Sequence, residues 1–456
     1  MPMELNLETI ECRVVLIDPV SREVLGREDN GSSPILWVSV PPRARIVRQV
    51  REELQRLWDI AVVILDLLSA STSSSPCFVA ELLTADIPAG FRAVHVEERT
   101  SEKLTEQERT HLEKVLAGDV KSPFSRIGWI DEAIAWVEGA TGERLVAKTS
   151  IEQYNAGGAF TLLRFPMESG NRYWLKAVGA PNAHERTLTS LLSQLCGKCL
   201  PRVDAEKVDW NAWVTSEEAC GVSVLPTEPE DLLLLLGEAV ESLAELQLKT
   251  VGLDQALIDA GAFDQRLYVL RTDADALFAY VAEAMSFQTS AKVSRMETSR
   301  LQAIRRIFRE ACLRAEHLEI PSTILHGDMN LGNLVFAPER CQFIDWCEGY
   351  VGHPFVTFQH LLLLNPIENP KVRASVDDAL KRIYRTAMRT ICDSRQIEES
   401  FASMRLLAAG SALYGRGDWL GSGLRHAPHH YSYARNMVRH MDDAAREPAL
   451  LEALCD

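Results

Sequence analysis

Three oxygen-bearing side chains fall close together in residues 324–346. Asp328 ends His326-Gly327-Asp328, Asn333 follows five positions on, and Asp345 closes the run Gln342-Phe343-Ile344-Asp345-Trp346. An amide oxygen and a carboxylate are hard ligands suited to Mg²⁺, which takes few protein groups and completes its shell with phosphate and water. A further carboxylate beside a metal-bound phosphate can accept or orient a hydroxyl proton. Together the three residue types imply phosphoryl transfer. An Asx-rich loop capping an ordinary hairpin would account for any one of them, but poorly for all three.

Placing these groups requires a hairpin. Asn333-Leu334-Val335-Phe336 and Cys341 to Trp346 are rich in strand formers, and Ala337-Pro338-Glu339-Arg340 between them is a turn signal. Registered about Glu339, the hairpin sets Asn333 and Asp345 roughly 5 Å apart at its open end, with Asp328 on the loop that feeds it.

His-Gly-Asp-x-x-x-x-Asn followed by Ile-Asp-Trp resembles the aminoglycoside phosphotransferase and choline kinase family, small-molecule relatives of the protein kinases. The resemblance extends more weakly over about residues 145–445. It implies a two-lobed, kinase-like α+β fold with a mostly helical C-terminal lobe, ATP with Mg²⁺, Asp328 as catalytic base, and Asn333 with Asp345 as metal ligands.

The stretch before the motif fits that order. Tyr154 to Phe165 reads as strand, glycine turn and strand, with Gly157 and Gly158 allowing backbone N–H groups to approach phosphate. Arg172 to Val178 is a strand carrying a lone lysine, Lys176, whose charge needs a partner or a cleft. Glu185 opens a helix over 184–195, and Lys176 with Glu185 looks like the ion pair that positions ATP phosphates in kinases. Trp210 to Gly221 resembles the strand and hinge between the lobes, where adenine would bond to backbone near Glu217 to Ala219. Helices are expected over 232–248, about 264–286, 291–317 and most of 370–445, and the five leucines from Leu232 to Leu236 read as core. His429-His430 reads as a solvated helix start. One departure stands out. Gly352-His353-Pro354-Phe355-Val356-Thr357 falls where many relatives carry Gly-Asp-Pro-x-x-Asp, so His353 and Thr357 replace two acids that we expect to be structural.

The chain has 456 residues, more than one ordinary core needs, and its 46% hydrophobic and 25% charged composition is that of a globular protein. A net charge of −16 argues against nucleic acid or anionic membrane as partner and tilts toward a cationic small-molecule substrate. The first residues lack the basic head and apolar core of a signal peptide, and no apolar run approaches a membrane span, so a cytoplasmic location is expected. Ten scattered cysteines fit reduced thiols, and Cys196-Gly-Lys-Cys199 is a single C-x-x-C with no second pair and no histidine at zinc spacing.

Residues 1–100 alternate strand signals with one helix, 44–58, in an order loosely similar to the Nudix hydrolases. Gln55, Arg56 and Trp58 stand where that family's signature would place Glu, Glu and Gly. The segment is therefore read as a catalytically silent accessory α+β domain, a structural or homodimerising module. A helical linker, 101–144, follows, with a capping box at Thr105-x-x-Glu108, then a small lobe over 145–222 and a helical lobe over 223–456. The expected function is ATP-dependent phosphorylation of a small-molecule hydroxyl. The alternative is an inactive nucleotide-binding regulator acting through its N-terminal domain, against which the retention of Lys176, Asp328, Asn333 and Asp345 in order argues.

Overall fold

The computed structural model describes residues 9–28, 33–41, 45–69, 75–94, 104–120, 122–157, 160–217, 220–221, 224–337, 340–420 and 426–455. It divides into two compact units, Met1–Arg186 with Arg202–Glu217, and Thr187–Pro201 with Glu218–Asp456. The fold is mixed α+β, with its longer sheets in the first unit and most of its helices in the second.

The first unit holds two sheets. One joins β1 (Ile10–Ile17), β2 (Val24–Arg27), β3 (Ile35–Val40), β4 (Val62–Leu67), β5 (Cys77–Leu82) and β6 (Phe91–Val94) in the order β4-β5-β1-β2-β6, with β3 also on β1. The β1–β5 pair is parallel. Val14 to Ile17 are all fully buried, and a continuous apolar run of this kind marks a strand covered on both faces. On one face Cys12, Val14 and Leu16 pack against Val47, Val50 and Leu54 of α1 (Ile46–Trp58). On the other, Val15 and Ile17 join a core that takes in both following helices, α2 (Glu106–Ala117) and α3 (Trp129–Thr141), and the second sheet. The capping box at Thr105 is formed as expected, with Glu108 N–H donating to Thr105 Oγ1 and Thr105 N–H to Glu108 Oε2.

The second sheet is antiparallel: β7 (Glu152–Asn155), β8 (Phe160–Pro166), β9 (Arg172–Val178), β10 (Val203–Lys207) and β11 (Ala212–Ser216), in the order β10-β11-β9-β8-β7. Leu163, Phe165, Leu175 and Val214 sit in the same core as Val15 and Ile17. The N-terminal sheet, the two helices of 104–141 and the second sheet thus share one interior. Two side chains, Gln153 buried and Arg51 half-buried, stitch the sheets together. Gln153 accepts from Ile64 N–H and donates to Ile64 O, both at 2.8 Å, as a neighbouring strand would. Arg51 donates to Val62 O at 2.7 Å and to Ile151 O at 2.8 Å.

α4 (Glu185–Leu195) carries the chain across the division. The second unit then runs through β12 (Cys220–Gly221), α5 (Pro229–Thr250), α6 (Asp254–Asp259), β13 (Phe263–Gln265), α7 (Leu267–Ser286), α8 (Thr298–His317), β14 (Thr323–His326), β15 (Leu334–Ala337), β16 (Arg340–Phe343), β17 (Gly349–Gly352), α9 (Phe355–Leu362), α10 (Pro370–Met388), α11 (Ser394–Tyr414), α12 (Pro428–Ala444) and α13 (Pro448–Cys455). Its small sheets are β12-β15-β16 and β13-β17-β14. Of the five leucines on α5, Leu232 and Leu236 are fully buried while Leu234 is exposed, the spacing of a helix with one apolar stripe. His429 and His430 lie in the first turn of α12, as a helix start requires. No helix among the described residues is long and apolar enough to cross a membrane.

Candidate active site

β14 delivers His326-Gly327-Asp328, and α5 holds β14 and the hairpin together. Thr250 Oγ1 accepts from Ile324 N–H at 3.1 Å, and Ser242 Oγ accepts from Cys341 N–H at 3.0 Å. Asp328 is exposed, yet both of its carboxylate oxygens are fixed. Asn330 Nδ2 donates to Oδ1 at 2.9 Å and Asn333 Nδ2 to Oδ2 at 3.1 Å. Asn333 Nδ2 also donates to the Asp328 carbonyl at 2.8 Å. Two acceptors around one end of the Asn333 amide identify that end as the NH₂, so the carbonyl oxygen points the other way.

The hairpin closes one residue tighter than the sequence suggests. Leu334 pairs with Phe343 and Ala337 with Arg340, and Pro338 and Glu339 between them lie outside the described residues. Expected opposite Asp345, Asn333 instead lies against Ile344, whose N–H donates to Asn333 O at 3.1 Å. Strand formers mark the two arms but not their register, which a slip of one residue changes. Asp345 then stands just past the ladder, with φ 66°, a left-handed conformation that Asp tolerates better than most residues.

Sequence reasoning passed over the residues that hold these groups. His326 is buried, and its Nε2 lies 2.9 Å from Ile344 O, an acceptor only, so Nε2 carries the proton. Its ring meets Trp346 edge-on at 4.6 Å, and Trp346 Nε1 donates to Phe343 O at 3.1 Å. The His and Trp of the two motif halves thus hold the carbonyls of the two residues that precede Asp345. Gly327 N–H donates to Glu348 O, and a Cβ at Gly327 would lie 2.2 Å from the Tyr350 ring and 2.9 Å from Glu348 O, so only glycine fits. Arg416 braces the same turn, Nε donating to Glu348 Oε1 and Nη2 to Cys347 O, both at 2.9 Å. A pattern search could have flagged His326 and Trp346, which sit inside the motif. Arg416 falls in the polar, aromatic stretch Arg416-Gly417-Asp418-Trp419, but Glu348 lies 68 residues away and no local pattern joins the two.

The replaced acids resolve differently. Thr357, fully buried, accepts from His326 N–H at 3.0 Å and so helps fix the loop before Asp328. His353 is buried with no hydrogen-bond partner for either ring nitrogen among the described residues, and burial pulls its pKa down to about 4, leaving it neutral.

In the first unit, Lys176 Nζ lies 2.5 Å from Glu185 Oε1, with Glu185 almost fully buried and the rings of Phe160 and Trp213 within 6 Å of the ammonium. The pair expected from the sequence is formed. Gly157 has φ 131°, open only to glycine, and a Cβ there would sit 3.6 Å from Asp66 Oδ1 of β4. Gly158 and Ala219 lie outside the described residues. The Glu217 carboxylate is held by Arg164 through bonds of 2.7 and 2.8 Å, and its N–H donates to Arg172 O. Its side chain is thereby structural. Of the thiols expected to be reduced, Cys196 and Cys199 are instead bridged. They lie a single turn apart just past the end of one helix, close enough to bridge.

Residues 210–391 match the model of the phosphotransferase enzyme family, so the resemblance read in the motif holds over that segment. The match starts well past residues 1–100 and lends the Nudix likeness no support. No curated protein matches the chain. Similar solved structures include a macrolide 2'-phosphotransferase from Brachybacterium faecium (14% identity, TM-score 0.41, 68% of this chain and 97% of that one). Others are a choline/ethanolamine kinase family protein from Mesorhizobium loti (16%, 0.43, 71% and 97%) and a choline kinase from Cryptosporidium parvum (10%, 0.47, 72% and 99%).

Proposed function

We propose that the protein is an ATP-dependent small-molecule kinase that transfers the γ-phosphoryl group to a substrate hydroxyl. The observation that carries this reading is the Asp328–Asn333 pair. Asn333 commits its nitrogen to Asp328, which orients the carboxylate and leaves the amide oxygen facing away from it. That oxygen and the Asp345 carboxylate are a hard donor set that fits Mg²⁺. When bound, Mg²⁺ supplies charge neutralisation at the phosphates. Asp328 accepts the hydroxyl proton through a lone pair that its two amide donors leave open. The Lys176 ammonium, steadied by Glu185, donates to the α- and β-phosphates, and N–H groups at Gly157 and Gly158 approach the same oxygens. Adenine bonds to backbone between Glu217 and Ala219. A net charge of −16 favours a hydroxylated cation as substrate.

The test is ADP release from ATP and Mg²⁺ over a panel of hydroxylated amines, aminoglycosides and sugars, with Asp328→Asn as the blank. Substrate-stimulated turnover absent from the blank supports the reading. Equal turnover in both proteins overturns it, and tight nucleotide binding without any turnover favours a regulator.

A further inference from the structure

Cys196 and Cys199 differ from the other cysteines. Cys12, Cys77, Cys312, Cys341 and Cys392 are buried single thiols whose pKa values burial pushes up, which keeps them protonated and unreactive. Cys196 and Cys199 instead share one turn at the end of α4 and are bridged. The Glu245 carboxylate, from α5, has an oxygen within 4.8 Å of both sulfurs. A C-x-x-C pair with a carboxylate at its side has the parts of a dithiol that can be made and broken: two adjacent sulfurs and a group to take and return the thiol proton.

The same turn is bonded to the candidate metal-holding hairpin. Cys199 O accepts from Phe343 N–H at 2.8 Å, and Leu200 O accepts from Gln342 Nε2 at 3.2 Å. Phe343 is the last residue of β16, two positions before Asp345. The bridge closes a four-residue loop and fixes the two carbonyls that anchor this strand.

We propose that Cys196 and Cys199, assisted by Glu245, form a reversible dithiol–disulfide site whose state sets the rigidity of the hairpin carrying Asn333 and Asp345. The regulatory meaning rests on the functional reading of that hairpin given above. Opening the bridge takes two small-molecule thiols. One thiol, giving its proton to the Glu245 carboxylate, attacks Cys196, forming a mixed disulfide and releasing Cys199, which takes that proton from Glu245. The second thiol likewise gives up its proton and attacks the small-molecule sulfur, releasing Cys196, which takes that proton, so that two protein thiols and one small disulfide result. Two electrons pass from the small-molecule thiols to the protein.

The experiment uses the full chain equilibrated in glutathione buffers of graded ratio. Thiols are trapped by alkylation and the peptide carrying both cysteines is read by mass spectrometry, while hydrogen exchange of the 334–345 peptide is followed in each state. Both cysteines should change together, and the hairpin amides should exchange about ten-fold faster once the bridge is open. Cys196→Ser should exchange fast under all conditions, and Glu245→Gln should slow the approach to equilibrium and flatten its pH profile. The proposal is overturned by a pair that stays alkylated or blocked across the whole range, by thiols protected by a retained metal ion, or by hairpin exchange that is equal in both states. The wild-type comparison stands even if a variant fails to fold. Neither readout needs phosphotransfer, so a kinase panel without turnover would leave the redox result intact.

Discussion

Asp328 and Thr357 show how single side chains divide the labour of the site. Asp328 is exposed and its carboxylate receives two amide donors, so Asp328→Asn should leave the fold untouched while removing the proton acceptor. Turnover should fall by about 10²- to 10⁴-fold, the range for loss of a positioned general base, with nucleotide affinity by titration calorimetry within a factor of a few. A variant that turns over like the parent would remove Asp328 from the mechanism. Thr357 contributes a buried acceptor, and the His326 N–H it satisfies is buried too. Thr357→Val keeps the shape and strands that donor. It should cost about 1–3 kcal/mol in urea unfolding and lower turnover, whereas Thr357→Ser should restore both. Equal stability of the Val and Ser variants would mean that His326 N–H finds another partner.

Among the elements, β4 and β7 are joined by a side chain acting as a strand. Gln153 meets both the N–H and the C=O of Ile64, and Arg51 ties Val62 O to Ile151 O. β7 leads into the Gly157 turn, so the N-terminal sheet braces the segment proposed to approach phosphate. Gln153→Leu would strand two buried backbone groups and should cost about 2–5 kcal/mol in chemical denaturation. With the brace loosened, KM for ATP should rise more than kcat falls. A stability loss with unchanged KM would reduce the N-terminal sheet to a purely structural role. These contacts also show what the sequence could and could not disclose. The hairpin, the capping box at Thr105 and the Lys176–Glu185 pair rest on patterns a few residues long, and they could be read directly. Gln153 reaches Ile64 across 89 residues and Arg51 reaches Ile151 across 100, with no local pattern to announce either. Residues 1–100 therefore read as an accessory domain and 101–144 as a linker, although both feed a core shared with the second sheet. The hairpin register slipped by one for a related reason: strand propensity fixes the arms, while the turn fixes the register.

For the molecule as a whole, the acidic balance bears on stability through Glu81, buried on β5. Gly128 N–H donates to its Oε2 at 2.7 Å, while Oε1 has no hydrogen-bond partner among the described residues. Burial raises its pKa from 4.5 to about 7, against smaller opposing effects from the Gly128 bond and the Lys148 charge, and with a small addition from Asp131. Below pH 4.5 the carboxyl is protonated in both the folded and unfolded chain and has no effect on stability. Between 4.5 and about 7 the folded chain holds the proton and the unfolded chain releases it, so rising pH draws the equilibrium toward unfolding. Above that window the loss is complete. A shift of roughly 2.5 units, at about 1.4 kcal/mol each, amounts to about 3 kcal/mol. Glu81→Gln retains an acceptor for Gly128 N–H and removes the charge. Its unfolding free energy, measured in urea beside the parent, should exceed the parent's only slightly at pH 5 and by about 3 kcal/mol at pH 8. Because every other titrating group is common to both proteins, the difference isolates Glu81. A difference that stays constant from pH 5 to 8 would show that Glu81 ionises at its ordinary pH and that its environment, despite the burial, is well solvated for charge.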